Sequence, residues 1–382
     1  MALPLEGVLV VDFSQFLAGP YASLRLQDLG ARVIKVENPN GGDLCRNLYL
    51  SDTMMGEDST LFHSINRGKE SIALDLKTSV GRAQAQKLAS RANIVLQNFR
   101  PGVIDRLGLN YEKIKANNPR VVYGSVSGYG PAGAWRDFPG QDLLAQARSG
   151  VMWLSGNRDA GPVPVGLPLA DLLAGATLAQ GVLAALYRQA VCGEGSTVET
   201  SLLECLADAQ FEFLTTYLNN GRKRPQREKK GSAHAYLAAP YGTYETQKGQ
   251  LALAMVPLAK LAEALSLPEL IAWDSVPEAG FVHREEIRAL ISKCLLTKEA
   301  SVWEQTLSAK GIWCARILDW SEMLQSDTFK ALDMISDVKA SEEFGGSLMR
   351  SPLRIDGSRA AVELLGPVLN ANFADIVNEF SL

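Results

Sequence analysis

Asp171 is the carboxylate with the most suggestive surroundings in this sequence. It closes the segment Val165-Gly166-Leu167-Pro168-Leu169-Ala170-Asp171 and stands just before a long apolar stretch, residues 172–188. A carboxylate at a helix start can cap the first turn by accepting a backbone N–H bond. It can also act as a nucleophile, because a helix N-terminus favours the ionised form that attack requires. The residue types alone leave both roles open. A second acid, Asp142, follows Gly140-Gln141 and fits a helix cap. Metal chemistry has little to draw on. His63, His234 and His283 form no HxxxH or HExxH pattern. Cys45, Cys192, Cys205, Cys294 and Cys314 are scattered and contain no CxxC pair. That spacing argues against a zinc site or a disulfide framework and for a reducing compartment.

The 382 residues are enough for two domains. A formal net charge of −4 gives no basic field to attract nucleic acid, so an anionic ligand must be met by local cations. The opening Met-Ala-Leu-Pro-Leu-Glu-Gly lacks the layout of a signal peptide. No apolar run reaches the roughly 18 residues a membrane span needs. The expectation is a cytoplasmic protein with no membrane and no nucleic-acid partner. The basic run RKRPQREKK at 222–230 reads as a solvated linker.

The elements that must position these acids follow from periodicity. Residues 8–13 (VLVVDF) are β-branched and apolar, as in a strand buried on both faces. A helical stretch at 21–29, Gly30 and a strand at 32–36 complete a βαβ unit. The alternation continues with strands at 71–76, 94–99 and 121–126, and with helices at 80–91 and 103–107. This pattern predicts an α/β, doubly wound, mostly parallel Rossmann-like sheet with sites at strand C-termini. The first turn, Ser14-Gln15-Phe16-Leu17-Ala18-Gly19-Pro20, is not GxGxxG, which counts against NAD or FAD. From 142 to 219 the chain reads as helical, with long apolar helices at 172–188 and 198–218. A hairpin over 242–245 and 251–255 then opens a smaller α+β domain. The predicted organisation is a large domain over 1–225, a small domain over 226–325, and a return to the large domain over 326–382.

Several segments, in order, resemble the class III CoA-transferases, the CaiB-BaiF group that includes formyl-CoA transferase and α-methylacyl-CoA racemases. They are Asp12-Phe13 with Ala18-Gly19-Pro20; Leu29-Gly30-Ala31 with Val33-Ile34-Lys35-Val36-Glu37; and Asn66-Arg67-Gly68-Lys69 with Leu74-Asp75-Leu76-Lys77. Asn98-Phe99-Arg100-Pro101-Gly102, Gly128-Tyr129-Gly130, Gln146-Ala147 with Ser149-Gly150, Pro168 with Asp171, and Pro240-Tyr241-Gly242 follow. The resemblance implies a large domain built from both chain ends, an inserted small domain and an interlocked homodimer.

The resemblance also implies that Asp171 is the nucleophile. Asp142, Gln141 and Gly140 then form the substrate and oxyanion region. Phe16, Leu17, Ala18, Leu74, Lys77, Asn98, Phe99, Arg100 and Arg106 occupy the family's CoA-binding positions, with Arg46 and Arg67 as weaker candidates. No metal and no tightly bound cofactor is expected, because the coenzyme A thioester is itself the substrate. Its partner substrate would be a small carboxylic acid. The racemases of the group carry a histidine where this chain has Gln141, and a glutamate where it reads Ala254-Met255-Val256-Pro257. The pattern therefore favours the transferase branch over an acyl-CoA racemase or epimerase, or a non-catalytic CoA-binding protein. Leu17, and Ala238-Ala239-Pro240 in place of a glycine run, depart from the formyl-CoA transferase pattern. They point away from oxalate, towards a larger acyl group, with a dicarboxylate such as succinate as a donor acid.

Overall fold

The computed structural model describes residues 3–48, 53–276, 278–339 and 344–382. The chain divides into two compact units. Unit 1 takes in 1–148, 167–209 and 330–382, and unit 2 takes in 149–166 and 210–329. Residues 149–166 and 210–225, kept with the large domain in the sequence reading, thus cluster with unit 2.

Unit 1 is an α/β body around a six-stranded parallel sheet. Its first half runs β1 (Leu9–Asp12), α1 (Ala18–Gln27), β2 (Arg32–Glu37), β3 (Glu70–Ala73), α2 (Ser79–Ala89) and β4 (Ile94–Gln97). Then come α3 (Val103–Leu107), β5 (Val122–Ser127), α4 (Asp142–Ser149), α5 (Leu169–Cys192) and β6 (Ser196–Ser201). The spatial order is β3-β2-β1-β4-β5-β6, with every neighbouring pair parallel. Val10, Val11, Ile34, Ile94, Val95 and Leu96 are fully buried, as β-branched and aliphatic strands covered on both faces must be. The order reverses between β1 and β4. An open sheet of this kind has its ligand crevice there, beyond the strand C-termini.

One face of the sheet packs against α1 and α5, whose Ala170, Ala174, Leu178, Val182 and Ala185 share a core with Val10, Ala22, Leu26 and Leu96. Gly175 is required at the α1–α5 contact. A Cβ there would stand 2.5 Å from the Ala18 carbonyl oxygen and 2.9 Å from the Tyr21 ring. Among the described residues α5 alone forms a helix long and apolar enough to cross a membrane, with a mean hydropathy of 1.6. That departs from the sequence expectation, although one stripe of α5 is committed to the core of unit 1.

The other face carries α2, α3 and a closing helix, α6 (Phe373–Phe380), whose Ile376 is fully buried beside Ile72 and Leu88. Before α6, Asn372 Oδ1 accepts from Ser71 N (3.0 Å) and Asn370 Oδ1 from Ala73 N (2.8 Å). These side chains satisfy the free edge of β3, so the C-terminal segment substitutes for a seventh strand.

Two local expectations change. The sequence 198–218 is not one helix. Ser196–Ser201 pairs with β5, and two helices follow, Leu202–Ala209 and Phe211–Asn219. Thr197, Val198 and Thr200 favour the extended chain, and β5 offers an edge to pair with. The basic run 222–230 is also only partly a solvated linker. Arg227 and Glu228 are buried within unit 2. Arg227 Nη1 donates to Ser155 O and to Gly161 O (2.8 Å), while Glu228 pairs with Arg288 (2.9 Å) and Arg284 (3.5 Å).

Unit 2 contains the expected hairpin, β7 (Gly242–Glu245) and β8 (Gln250–Leu253). A third antiparallel strand, β9 (Cys314–Arg316), joins it in the order β9-β8-β7. Leu251, Leu261, Ile287, Ile291, Trp303 and Leu307 form its own apolar core.

Candidate active site

The β1–α1 turn lies at the point where the sheet order reverses. Phe13 N donates to Leu96 O of β4 (2.9 Å), which draws the turn across the end of β4. Asn98 clamps it further: Oδ1 accepts from Gln15 N (2.9 Å) and Nδ2 donates to Gln15 O (2.7 Å). Phe16 then adopts φ 63° and leaves 44% of its surface exposed. A bulky residue in the left-handed region costs roughly 1–2 kcal/mol. Leu17 is half-buried beside Phe62 and Cys45, and Ala18 is buried under α5.

Asp171 stands in the first turn of α5. It is not the cap of that helix. Pro168 holds the cap position, and no side chain of the helix's own start bonds there. The cap comes from Asp142, at the start of α4. Its Oδ1 accepts from Ala170 N (2.6 Å) and Asp171 N (3.3 Å), while Oδ2 accepts from Gln146 Nε2 (2.6 Å). Gln146 Nε2 also donates to Leu167 O (3.2 Å), so α4 grips the entry to α5 at two points.

The chain reaches Asp142 through a close crossing. A Cβ on Gly140 would lie 2.5 Å from Gly128 Cα, and one on Gly128 would lie 2.6 Å from Gly140 Cα. Gly140 and Gln141 are exposed. Asp171 and Gly175 are one turn apart on α5, and Gly175 meets Ala18. The first turn of α5 and the β1–α1 turn therefore share one face of the helix.

The Asp171 carboxyl is pushed up to about 7, first by burial and then by the negative charge of Asp142. The sequence reading expects the helix start to favour the anion. That effect is worth about 0.3–1 kcal/mol, and desolvation plus a like charge outweigh it.

The cations sort into two groups. Arg46 is buried, pairs with Glu37 and Asp58, and donates to Pro367 O (3.0 Å). Arg67 is buried against Asp28 (2.6 Å). Both are committed to the interior, so the weaker CoA-binding candidates drop out. Lys77, Arg100 and Arg106 are exposed and engaged in no ion pair among the described residues. Arg82 Nη1 donates to Leu76 O (3.2 Å) and Lys77 O (2.7 Å), which fixes the backbone beneath Lys77. Leu74 is buried in the core, and Phe99 packs at its margin. A cavity of about 620 Å³ along the ends of β4, β5 and β6 touches Phe99 and Arg100, but Asp171, Asp142 and Lys77 do not line it. It lies to one side of the switch-point crevice.

Sequence reasoning misses a buried charged network beneath the turn. Lys35 and Asp12 are fully buried, and Asp43 and Lys69 nearly so. Lys35 pairs with Asp43 (2.7 Å), and Lys69 lies 3.5 Å from Asp12. A lysine between the apolar Ile34 and Val36 of the strand RVIKVE is the signal that could have revealed it.

A family model described as CoA-transferase family III matches residues 5–373. The chain is 32% identical to the acetyl-CoA:oxalate CoA-transferase of Acetobacter aceti, across 99% of this chain and 96% of that protein. It is 30% identical to a succinate–glutarate CoA-transferase of Agrobacterium fabrum, across 98% and 95% of the two chains. A succinyl-CoA:mesaconate CoA-transferase of Haloarcula hispanica is also 30% identical, across 98% and 96%. The crystal structure of a CaiB/BaiF family protein from Brucella suis superposes with a TM-score of 0.85, at 29% identity over the full length of both chains.

Proposed function

This chain belongs to CoA-transferase family III, and we propose that it exchanges coenzyme A between an acyl-CoA and a dicarboxylic acid, with Asp171 as nucleophile. The observation that carries this reading is the Asp171 carboxyl itself. It lies in the first turn of α5, its backbone is fixed by Asp142, and its affinity for protons is raised to about 7. A carboxylate of that basicity is a stronger nucleophile than an ordinary aspartate, yet a large fraction is ionised near neutral pH.

The steps balance without an external reagent. An Asp171 oxygen attacks the thioester carbonyl carbon, the C–S bond breaks, and CoA leaves as thiolate. The thiolate then attacks the aspartyl carbonyl of the mixed anhydride and expels the donor acid, giving an aspartyl-CoA thioester. The acceptor carboxylate attacks that thioester and releases the thiolate. The thiolate takes the acceptor's acyl carbon and frees Asp171. One thioester replaces another, so no tightly bound cofactor is required. In this reading the exposed Lys77, Arg100 and Arg106 meet the phosphates of CoA, and the Phe16–Ala18 turn meets its thioester end.

Dicarboxylates are the preferred acids, because the relatives are CoA-transferases named for oxalate, succinate, glutarate and mesaconate. Leu17 and Ala238-Ala239-Pro240 weigh against oxalate, and the larger acids are favoured. Gln141 has no titratable proton acceptor, which disfavours α-proton abstraction. A cytoplasmic homodimer fits the scattered cysteines and the exposed apolar Tyr187 and Val191 of α5.

The test is an isotope experiment. With succinyl-CoA as donor, a panel of ¹⁸O-labelled acids (glutarate, mesaconate, oxalate) is offered and the new thioesters are followed. The reading predicts a new thioester with glutarate or mesaconate and one ¹⁸O delivered to Asp171. New thioester without label in Asp171 would contradict the covalent route. Fast exchange with oxalate alone would overturn the preference for larger acids.

A further inference from the structure

Four buried charges hold the β1–α1 turn from beneath, and the transfer chemistry uses none of them. Lys35 Nζ donates to Ser14 O (2.8 Å) and pairs with Asp43 Oδ2 (2.7 Å). Asp43 Oδ1 accepts from Phe16 N (3.2 Å) and Cys45 N (3.0 Å). On the other side, Asp12 accepts from Ser14 N (2.9 Å) and from the hydroxyls of Ser14 and Ser23. Lys69 Nζ donates to Pro20 O (3.0 Å), Ser23 Oγ (2.8 Å) and Asn66 Oδ1 (2.8 Å).

A buried ion pair is a poor route to stability, since apolar residues of equal volume often serve as well or better. An apolar pair cannot hand a donor to Ser14 O and an acceptor to Phe16 N at the same time. Phe16 is the residue under constraint, in the left-handed region with its ring exposed. A chain reversal that needed only this backbone shape would take glycine or asparagine. The clamp therefore serves the ring.

Resting on the CoA-transferase reading, we propose that Lys35 and Asp43 are positioning residues: they lock the turn so that the Phe16 ring stands at the crevice mouth against the bound CoA thioester. Neither residue touches the reacting atoms, and both act through Phe16.

The test measures the Kd of CoA by calorimetry, alongside KM and kcat for succinyl-CoA:glutarate exchange, in the full-length protein. Three proteins are compared with the parent: Phe16→Gly, the charge-free and similarly shaped Lys35→Met/Asp43→Leu, and the triple combination. Phe16→Gly and the double variant should each loosen Kd and raise KM about tenfold, with kcat within about threefold. The triple variant should be no weaker than the double variant by more than about twofold, because the clamp then has nothing to hold. An unchanged Kd in Phe16→Gly overturns the proposal, as does full additivity in the triple variant. If the double variant does not fold, Asp43→Asn takes its place. With Lys35→Gln added to it, both charges are removed at nearly constant volume, and an unchanged Kd there overturns the claim that the charged pair locks the turn. Calorimetry reads the clamp even in a protein that transfers nothing. Altered Kd without turnover in the parent would therefore sink the transferase reading and leave the positioning role standing.

Discussion

At Asp171 burial and the charge of Asp142 act against ionisation, and the pH dependence follows from that balance. Activity should fall as pH drops through about 7, because the protonated carboxyl cannot attack. A kcat profile over pH 5–8.5 checks this, and a flat profile down to pH 5 would contradict it. Asp142→Asn keeps an oxygen for the α5 cap but removes the like charge. It should move that midpoint to lower pH with little change in Tm. Asp142→Ala also removes the cap and should cost about 1 kcal/mol of stability. The same shift bears on folding. The folded carboxyl holds its proton to higher pH than the unfolded one. Its stabilisation is full below the ordinary carboxylate range and lost as pH rises to about 7. Asp171→Asn should therefore stabilise the protein at pH 8, by about 1–2 kcal/mol given partial solvent access, and do so far less at pH 5. Thermal melts at the two pH values check the sign.

Among the elements, α5 and α4 carry the two acids, and close contacts set their positions. Gly128→Ala would drive a methyl group to 2.6 Å from Gly140 Cα, where only backbone can yield. It should cost about 1–3 kcal/mol and lower kcat through displaced Asp142; melting and kinetics on the one variant check both. Elements with a strong local period were legible in the sequence. β1, β2, β4 and the unit 2 hairpin carry apolar or alternating runs, and they appear where that pattern puts them. β6 was not legible. Its STVETS has Val198 as its one apolar residue, and the edge it pairs with becomes available only once β5 is in place. The Asn370 and Asn372 bonds to β3 were equally hidden, because about 300 residues of chain separate the partners.

Over the whole molecule the same division holds. The acids of the site were visible as types in context, Asp171 before an apolar helix and Asp142 after Gly140-Gln141. The commitment of Arg46 to Glu37, Asp58 and Pro367 O was not, since its partners come from three segments, one of them 321 residues away. Nor was the Lys35–Asp43 clamp, which reads locally as a strand lysine and a loop aspartate. Unit 1 gathers Asp171, Asp142, the β1–α1 turn and the exposed cations from both halves of a discontinuous chain, with 330–382 returning to close it. The measurement that tests the account most directly is chemical capture of the intermediate. The protein is incubated with succinyl-CoA, treated with hydroxylamine or borohydride, digested and examined by mass spectrometry. The account predicts a modified Asp171 peptide that depends on the acyl-CoA and is absent in Asp171→Ala. An unmodified Asp171 under conditions where a new thioester still accumulates would contradict it.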